Sequence, residues 1–216
     1  MNDFFLFRYG EEILFRCGEH IILVSISISV AIAIGLPLGI LITRQPKLAQ
    51  PILTVANVVQ TIPSLAMFGF LISVPLLGGI GKIPAMVALT LYALLPIIRN
   101  AYTGIIGVDP AIREAGRGMG MTNWELLVQV EIPLALGVIL AGVRVATVIS
   151  VGIATIAAAI GAGGLGAFIF RGIAMVNNDL ILAGAVPAAL MALAADFAIG
   201  WFENHLTAQG KIKSEK

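Results

Sequence analysis

Five apolar runs, each long enough to cross a bilayer, account for most of this 216-residue chain. They are His20 to Thr43, then about 51–77, 83–106, 134–160 and 180–201. A helix needs roughly 20 predominantly apolar residues to traverse the hydrocarbon core. Only 12% of the residues are charged, against roughly 25% in an ordinary soluble domain, so water-soluble, disordered, collagen-like and coiled-coil folds are excluded. In lipid each backbone polar group must find its partner within the structure, which leaves helices and closed barrels. The runs are continuous instead of alternating, so barrel strands are excluded too. The expected fold is an all-α integral membrane bundle of five transmembrane helices.

Charge placement predicts the orientation. With the N-terminus outside, the inner segments hold eight positive residues, Arg44, Lys47, Arg99, Arg113, Arg117, Lys211, Lys213 and Lys216. The outer segments then hold four, Arg8, Arg16, Lys82 and Arg171. Arg144 lies within the fourth run and is not assigned to either side. This bias predicts the N-terminus outside and the C-terminus in the cytoplasm. Net charge is +1 with no like-charge block, so no nucleic-acid surface is expected. Cys17 is the sole cysteine; it can form no internal disulfide and has no cysteine partner for a metal site.

Residues 1–19 are expected to form an external interfacial segment. Phe, Leu and Ile alternate there with Glu and Arg, as in a short amphipathic helix lying on the membrane. Phe4, Phe5, Phe7, Tyr9 and Phe15 would join an aromatic belt. The N-terminus lacks a basic n-region and a cleavage site, so the first run is expected to be retained as a span. Residues 20–202 would form the membrane domain and residues 203–216 a polar cytoplasmic tail.

Within the spans, Pro37, Pro63, Pro75, Pro96 and Pro187 are expected to kink helices. Gly137, Ala141, Gly142 and Ala146 would let the fourth helix approach its neighbours closely. Ionisable groups in lipid are costly and usually functional. Arg144 and Asp196 both fall in the cytoplasmic half and could pair; alternatively Arg144 snorkels or bonds backbone carbonyls. Arg99, with Asn100, could serve a gate or anchor the interface. No metal-binding or catalytic constellation is found: His20 and His205 lie at opposite faces, and no HExxH motif occurs. An intramembrane enzyme would need a nucleophile with its base, or a metal cluster. The glycine run Gly161-Ala162-Gly163-Gly164-Leu165-Gly166 lacks the Lys-Ser/Thr of a phosphate loop and reads as a packing turn.

The long loop 107–133 between spans three and four stands apart. Asp109 and Pro110 form a helix start, and Gly116, Gly118 and Gly120 would end that helix. Thr122 or Asn123 would cap a second helix with Glu125 in its first turn. Arg113, Glu114 and Arg117 bring charge there, and Met119, Met121 and Trp124 bring apolar surface. Apolar side chains rimmed by charge suggest a docking site.

This loop resembles the cytoplasmic signature of bacterial ABC importer permeases: Glu-Ala-Ala, three residues, Gly, nine residues, Ile-x-Leu-Pro. Here the pattern is Glu114-Ala115-Gly116, Gly120 and Val130-Glu131-Ile132-Pro133 at the same spacing. Departures at Gly116, Val130 and Ile132 are conservative in size or polarity. QTIPSLA (60–66), LLPIIRNAYTGI (94–105), the loop and AAIGAGGLGAFIFRGI (158–173) are similar to permeases for osmoprotectants such as glycine betaine, carnitine and choline.

The resemblance implies a type I ABC importer permease fold in a bacterial cytoplasmic membrane. It implies a second permease subunit, identical or related, two cytosolic ATPase subunits and an external substrate-binding protein. ATP and Mg²⁺ would bind the ATPase, leaving this chain without a cofactor of its own. Asp109, Arg113, Glu114, Ala115, Gly116, Arg117, Gly120, Trp124 and Pro133 would form the ATPase-coupling loop. Gln60, Pro63, Ser64, Arg99, Arg144 and Asp196 are candidates for the pathway or gate. The aromatic residues within the spans are too sparse for a tight cation cage, so the binding protein is expected to do most of the selection. The alternative cargo is an amino acid, or a toxic amphiphile moved outward.

Overall fold

The computed structural model describes the backbone of residues 5–214 and the side chains of residues 9–206. Helix α1 (Phe5–Arg44) has 40 residues, about 60 Å at 1.5 Å per residue, roughly twice a hydrocarbon core. It merges the first expected span with the segment expected to lie separately on the surface. No break in the helix separates the two. Tyr9, Ile13 and Cys17 recur every fourth residue, and that face packs on Phe168, Leu180 and Ala183. Glu12 pairs with Arg171 through both carboxylate oxygens, at 3.0 and 3.1 Å. One apolar face of this amphipathic segment thus meets protein, while Leu14 and Phe15 on another stay exposed. Phe4 lies outside the described residues, as do the side chains of Phe5 and Phe7.

The second expected span is broken. Helices α2 (Pro46–Thr61) and α3 (Ser64–Ile72) meet at a 97° bend. Ile62 is extended at ψ 126°, as steric contact with the Pro63 ring requires. The break frees the Ile62 carbonyl, and the Tyr92 hydroxyl donates to it from a neighbouring helix. That helix, α4 (Lys82–Ile106), is the third span. Helices α5 (Pro110–Gly118) and α6 (Asn123–Leu126) follow. A π-type turn, Leu127–Glu131, then leads into α7 (Ile132–Ala157), the fourth span. The glycine-rich connection after it holds a short helix, α8 (Gly166–Met175). Helix α9 (Asn178–Ser214) supplies the fifth span. It passes Phe202 without a break, so the expected tail begins as helix; residues 215–216 lie outside the described residues.

Helix α4 is the axis of the bundle, with α1, α2, α3 and α7 around it, and α7 carries α9 on its other side. The core gathers Leu23, Phe68, Leu89, Tyr92, Ile97 and Val151. Gly142 sets the α4–α7 separation: a Cβ there would lie 2.5 Å from Asn100 Cβ and 2.8 Å from the Pro96 carbonyl. Gly142 and Ala146 are buried, while Gly137 and Ala141 are half-buried, so close packing falls on part of the expected small-residue stripe. The outer surface is apolar, with Val55, Phe70, Leu193 and Phe197 all exposed, as a lipid-embedded bundle requires.

Candidate functional site

Helices α5 and α6 form a hairpin at one end of the bundle. Asp109 caps α5 by accepting the Ala111 amide at 2.8 Å, with Pro110 at the first helical position. The helix passes Gly116, correcting the expectation that this glycine helps to end it, and its last residue is Gly118. Met119 caps the helix, and the chain turns away at Gly120, where φ is +85° and the Met121 amide reaches back to the Gly116 carbonyl at 3.1 Å. That i to i−5 bond is a glycine-closed helix end. Gly116 has a different reason to be small: a Cβ there would come within 2.8 Å of Leu126 Cδ1, so it lets α5 lie against α6. Thr122 and Glu125 make a reciprocal capping box, with each side chain bonded to the other's amide, at 2.8 and 3.2 Å.

This hairpin turns its apolar side chains outward. Met119 is 77% exposed and Trp124 71%, with Glu114, Ala115, Arg117 and Pro133 also exposed. Arg113 does the reverse. Its guanidinium points into the bundle, donates to the Ile105 carbonyl and makes an ionic contact with Glu131 at 3.1 Å. Arg44, the last residue of α1, clasps the other side of the same carboxylate. Glu131 is 1% exposed. Sequence reasoning passed over Glu131 as the variable position of the loop signature. The available signal was a lone carboxylate at the start of an apolar span, a costly placement that demands a cationic partner.

The residues expected along the pathway fall into three places. Gln60, Pro63 and Ser64 sit at the α2–α3 bend, with Gln60 and Ser64 half-buried. Arg99 is exposed on α4, and no carboxylate among the described residues lies within ion-pair range of it. Arg144 Nε lies 3.6 Å from Asp196 Oδ1, and Arg144 also faces Glu203 at 3.6 Å. The two mid-span ions are thus neighbours across α7 and α9, with Glu203 as a third member that the sequence reading did not name.

At the opposite end, the glycine run folds onto α1. Gly161, Gly163 and Gly164 have φ of +75°, +81° and +75°. A Cβ on Gly163 would fall 2.5 Å from the Glu19 carboxylate. The Gly164 amide donates to Glu19 at 3.1 Å and the Leu165 amide to His20 Nδ1 at 3.3 Å. The His20 ring, fully buried, meets the Val151 carbonyl through Nε2 at 3.1 Å. Glu19 also pairs with Arg16 and Lys82 at 2.9 and 3.0 Å. These amides are taken by side chains of α1, so the turn is a brace between α1, α4 and α7.

Residues 35–208 match the family described as binding-protein-dependent transport system inner membrane component. The carnitine transport permease protein OpuCB of Listeria monocytogenes is 47% identical over 198 residues, 92% of this chain and 89% of its own. The glycine betaine/carnitine/choline transport system permease protein OpuCB of Bacillus subtilis (strain 168) is 45% identical over 206 residues, 95% and 94% of the two chains. Among solved structures, a chain of the MetNI methionine ABC transporter in an inward-facing conformation superposes with a TM-score of 0.81 at 25% identity. It covers 90% of this chain and 96% of its own.

Proposed function

Because the chain belongs to the family of binding-protein-dependent transport system inner membrane components, we propose that it is the translocation subunit of an ATP-driven importer for quaternary-amine osmoprotectants. It is a multi-pass inner membrane protein, and its family works with ATP-hydrolysing and substrate-binding partners. The cargo class is glycine betaine, carnitine, choline and their kin. Relatives named for those compounds at 45–47% identity outweigh a methionine transporter at 25% as a guide to cargo.

The observation that carries the mechanism is the α5–α6 hairpin, capped at both helix starts and presenting Met119 and Trp124 outward. In this reading the hairpin faces the cytoplasm and seats in a groove of an ATPase subunit. ATP and Mg²⁺ bind that subunit, and closure of the ATPase pair moves the hairpin. The N-terminus is outside and the C-terminus inside. A second permease subunit completes the pathway, and rigid-body motion alternates its access. The α2–α3 break, with Gln60, Pro63 and Ser64, lines the gate together with Arg99. The Arg144–Asp196 pair holds α7 to α9 as they move. Selection is left mainly to the external binding protein.

The test is uptake of labelled betaine, carnitine and choline in a strain lacking other osmolyte transporters. Uptake should require this chain, and Trp124→Asp should abolish both uptake and co-purification of the ATPase subunit. Glu114→Ala should lower uptake about 10-fold, the scale of a lost charged contact at an interface. Normal uptake and normal ATPase binding in Trp124→Asp would refute the coupling assignment.

A further inference from the structure

We infer that Glu131 is a positioning residue for transport: the buried joint through which movement of the hairpin reaches the spans. The inference rests on the coupling reading above. The second limb of the hairpin needs no joint, since α6 runs through the π-type turn into α7. The first limb, α5, is tied to α4 only by residues 107–109, a single turn. Besides its packing on α6 at Gly116, α5 is fixed to the spans by Arg113, held by the Ile105 carbonyl of α4 and by Glu131. The same carboxylate receives Arg44 from the end of α1. One buried anion therefore gathers α1, α5 and α7, and α4 through Arg113. Two guanidinium groups, 35% and 22% exposed, share this buried carboxylate, so without its charge they would face each other unpaired across a partly buried site.

The backbone at Glu131 is adapted to this placement. The π-type turn ends at that residue. One extra residue in a turn rotates the remainder of the helix by about 100°, at 3.6 residues per turn. π-type turns are rare and occur mostly at functional sites.

The experiment uses the complete transporter, with its ATPase subunit and binding protein, reconstituted in proteoliposomes. Uptake of labelled glycine betaine and ATP hydrolysis are measured together. Glu131→Gln keeps the shape of the side chain and removes its charge. The expected result is normal co-purification of the ATPase, ATP hydrolysis largely retained, and uptake per ATP lowered about 10-fold, within the range of an ordinary coupling between sites. Glu131→Asp should restore part of that ratio, which a purely structural role would not predict. If Glu131→Gln fails to assemble, Arg113→Lys takes its place. It keeps the charge but cannot hold Glu131 and the Ile105 carbonyl together, and it should lower the same ratio. An unchanged ratio overturns the inference, whether both rates fall or neither does. Trp124→Asp separates the two readings. If it loses the ATPase while Glu131→Gln keeps its ratio, only the joint is wrong; if it keeps the ATPase, the coupling reading itself is wrong.

Discussion

Gly118 and Gly120 stand two residues apart at the end of α5 and differ in what they tolerate. Gly118 is helical, and a Cβ there would meet nothing within 4 Å. Gly118→Ala should stabilise α5 by about 0.5–1 kcal/mol, because alanine loses less backbone entropy in a helix. Gly120 has equally open surroundings, but φ is +85°. Gly120→Ala should therefore cost about 1–2 kcal/mol in left-handed strain. Hydrogen exchange over residues 110–126 checks both, with slower exchange expected in the first variant and faster in the second. Equal effects would show that the turn is not held as described. Glu131 and Arg113 show the same point for charge: neighbours in the fold, not composition, decide whether a charged residue faces a partner protein or the interior.

At the scale of elements, the broken second span depends on a bond from outside itself. The Ile62 carbonyl, released where Pro63 ends α2, is satisfied by the Tyr92 hydroxyl of α4. Tyr92 is buried and Ile62 half-buried, so Tyr92→Phe takes from this carbonyl its protein donor. The expected loss is about 1–3 kcal/mol, read as a lower unfolding temperature in detergent and a lower uptake rate. An unchanged protein would mean that water already serves that carbonyl. Discontinuous helices in transporters commonly mark the substrate route, which gives the bend its place in the proposed gate. Helix α1 is a second case. Its N-terminal part is amphipathic enough for a membrane surface, yet the Tyr9–Ile13–Cys17 face is occupied by α8 and α9, leaving Leu14 and Phe15 exposed.

For the molecule as a whole, the two ends differ in construction. One carries the projecting α5–α6 hairpin; the other is braced by Glu19 and His20 against the glycine turn. The proposed orientation places the hairpin in the cytoplasm and the turn outside. Single cysteines at Met119 and at Leu76, which is 92% exposed, test this in a Cys17→Ala background. In intact cells a membrane-impermeant maleimide should label Leu76→Cys at once, and Met119→Cys only after permeabilisation. The reverse pattern would invert the molecule and remove the hairpin from any cytosolic motor. The apolar exterior includes Val55 and Phe197, the kind of surface that a bilayer covers.

The range of each interaction decides how much of this was readable along the chain. The spans were readable because crossing lipid demands a length of apolar residues, which needs no neighbour to define it. The Asp109 cap, and a second helix start at Thr122 or Asn123 with Glu125 in its first turn, were readable because the partners lie two or three residues away. Arg144 and Asp196 could be paired in advance, since ions in lipid seek each other and few were available. Four things needed the folded chain. Glu131 meets Arg44 across 87 positions, and Glu19 meets Gly164 across 145. The 97° bend goes beyond a proline kink because α4 supplies the missing donor. The fate of residues 9–19 turned on whether lipid or protein met one apolar face. In each case local chemistry states what a group requires, and packing alone selects which distant group provides it.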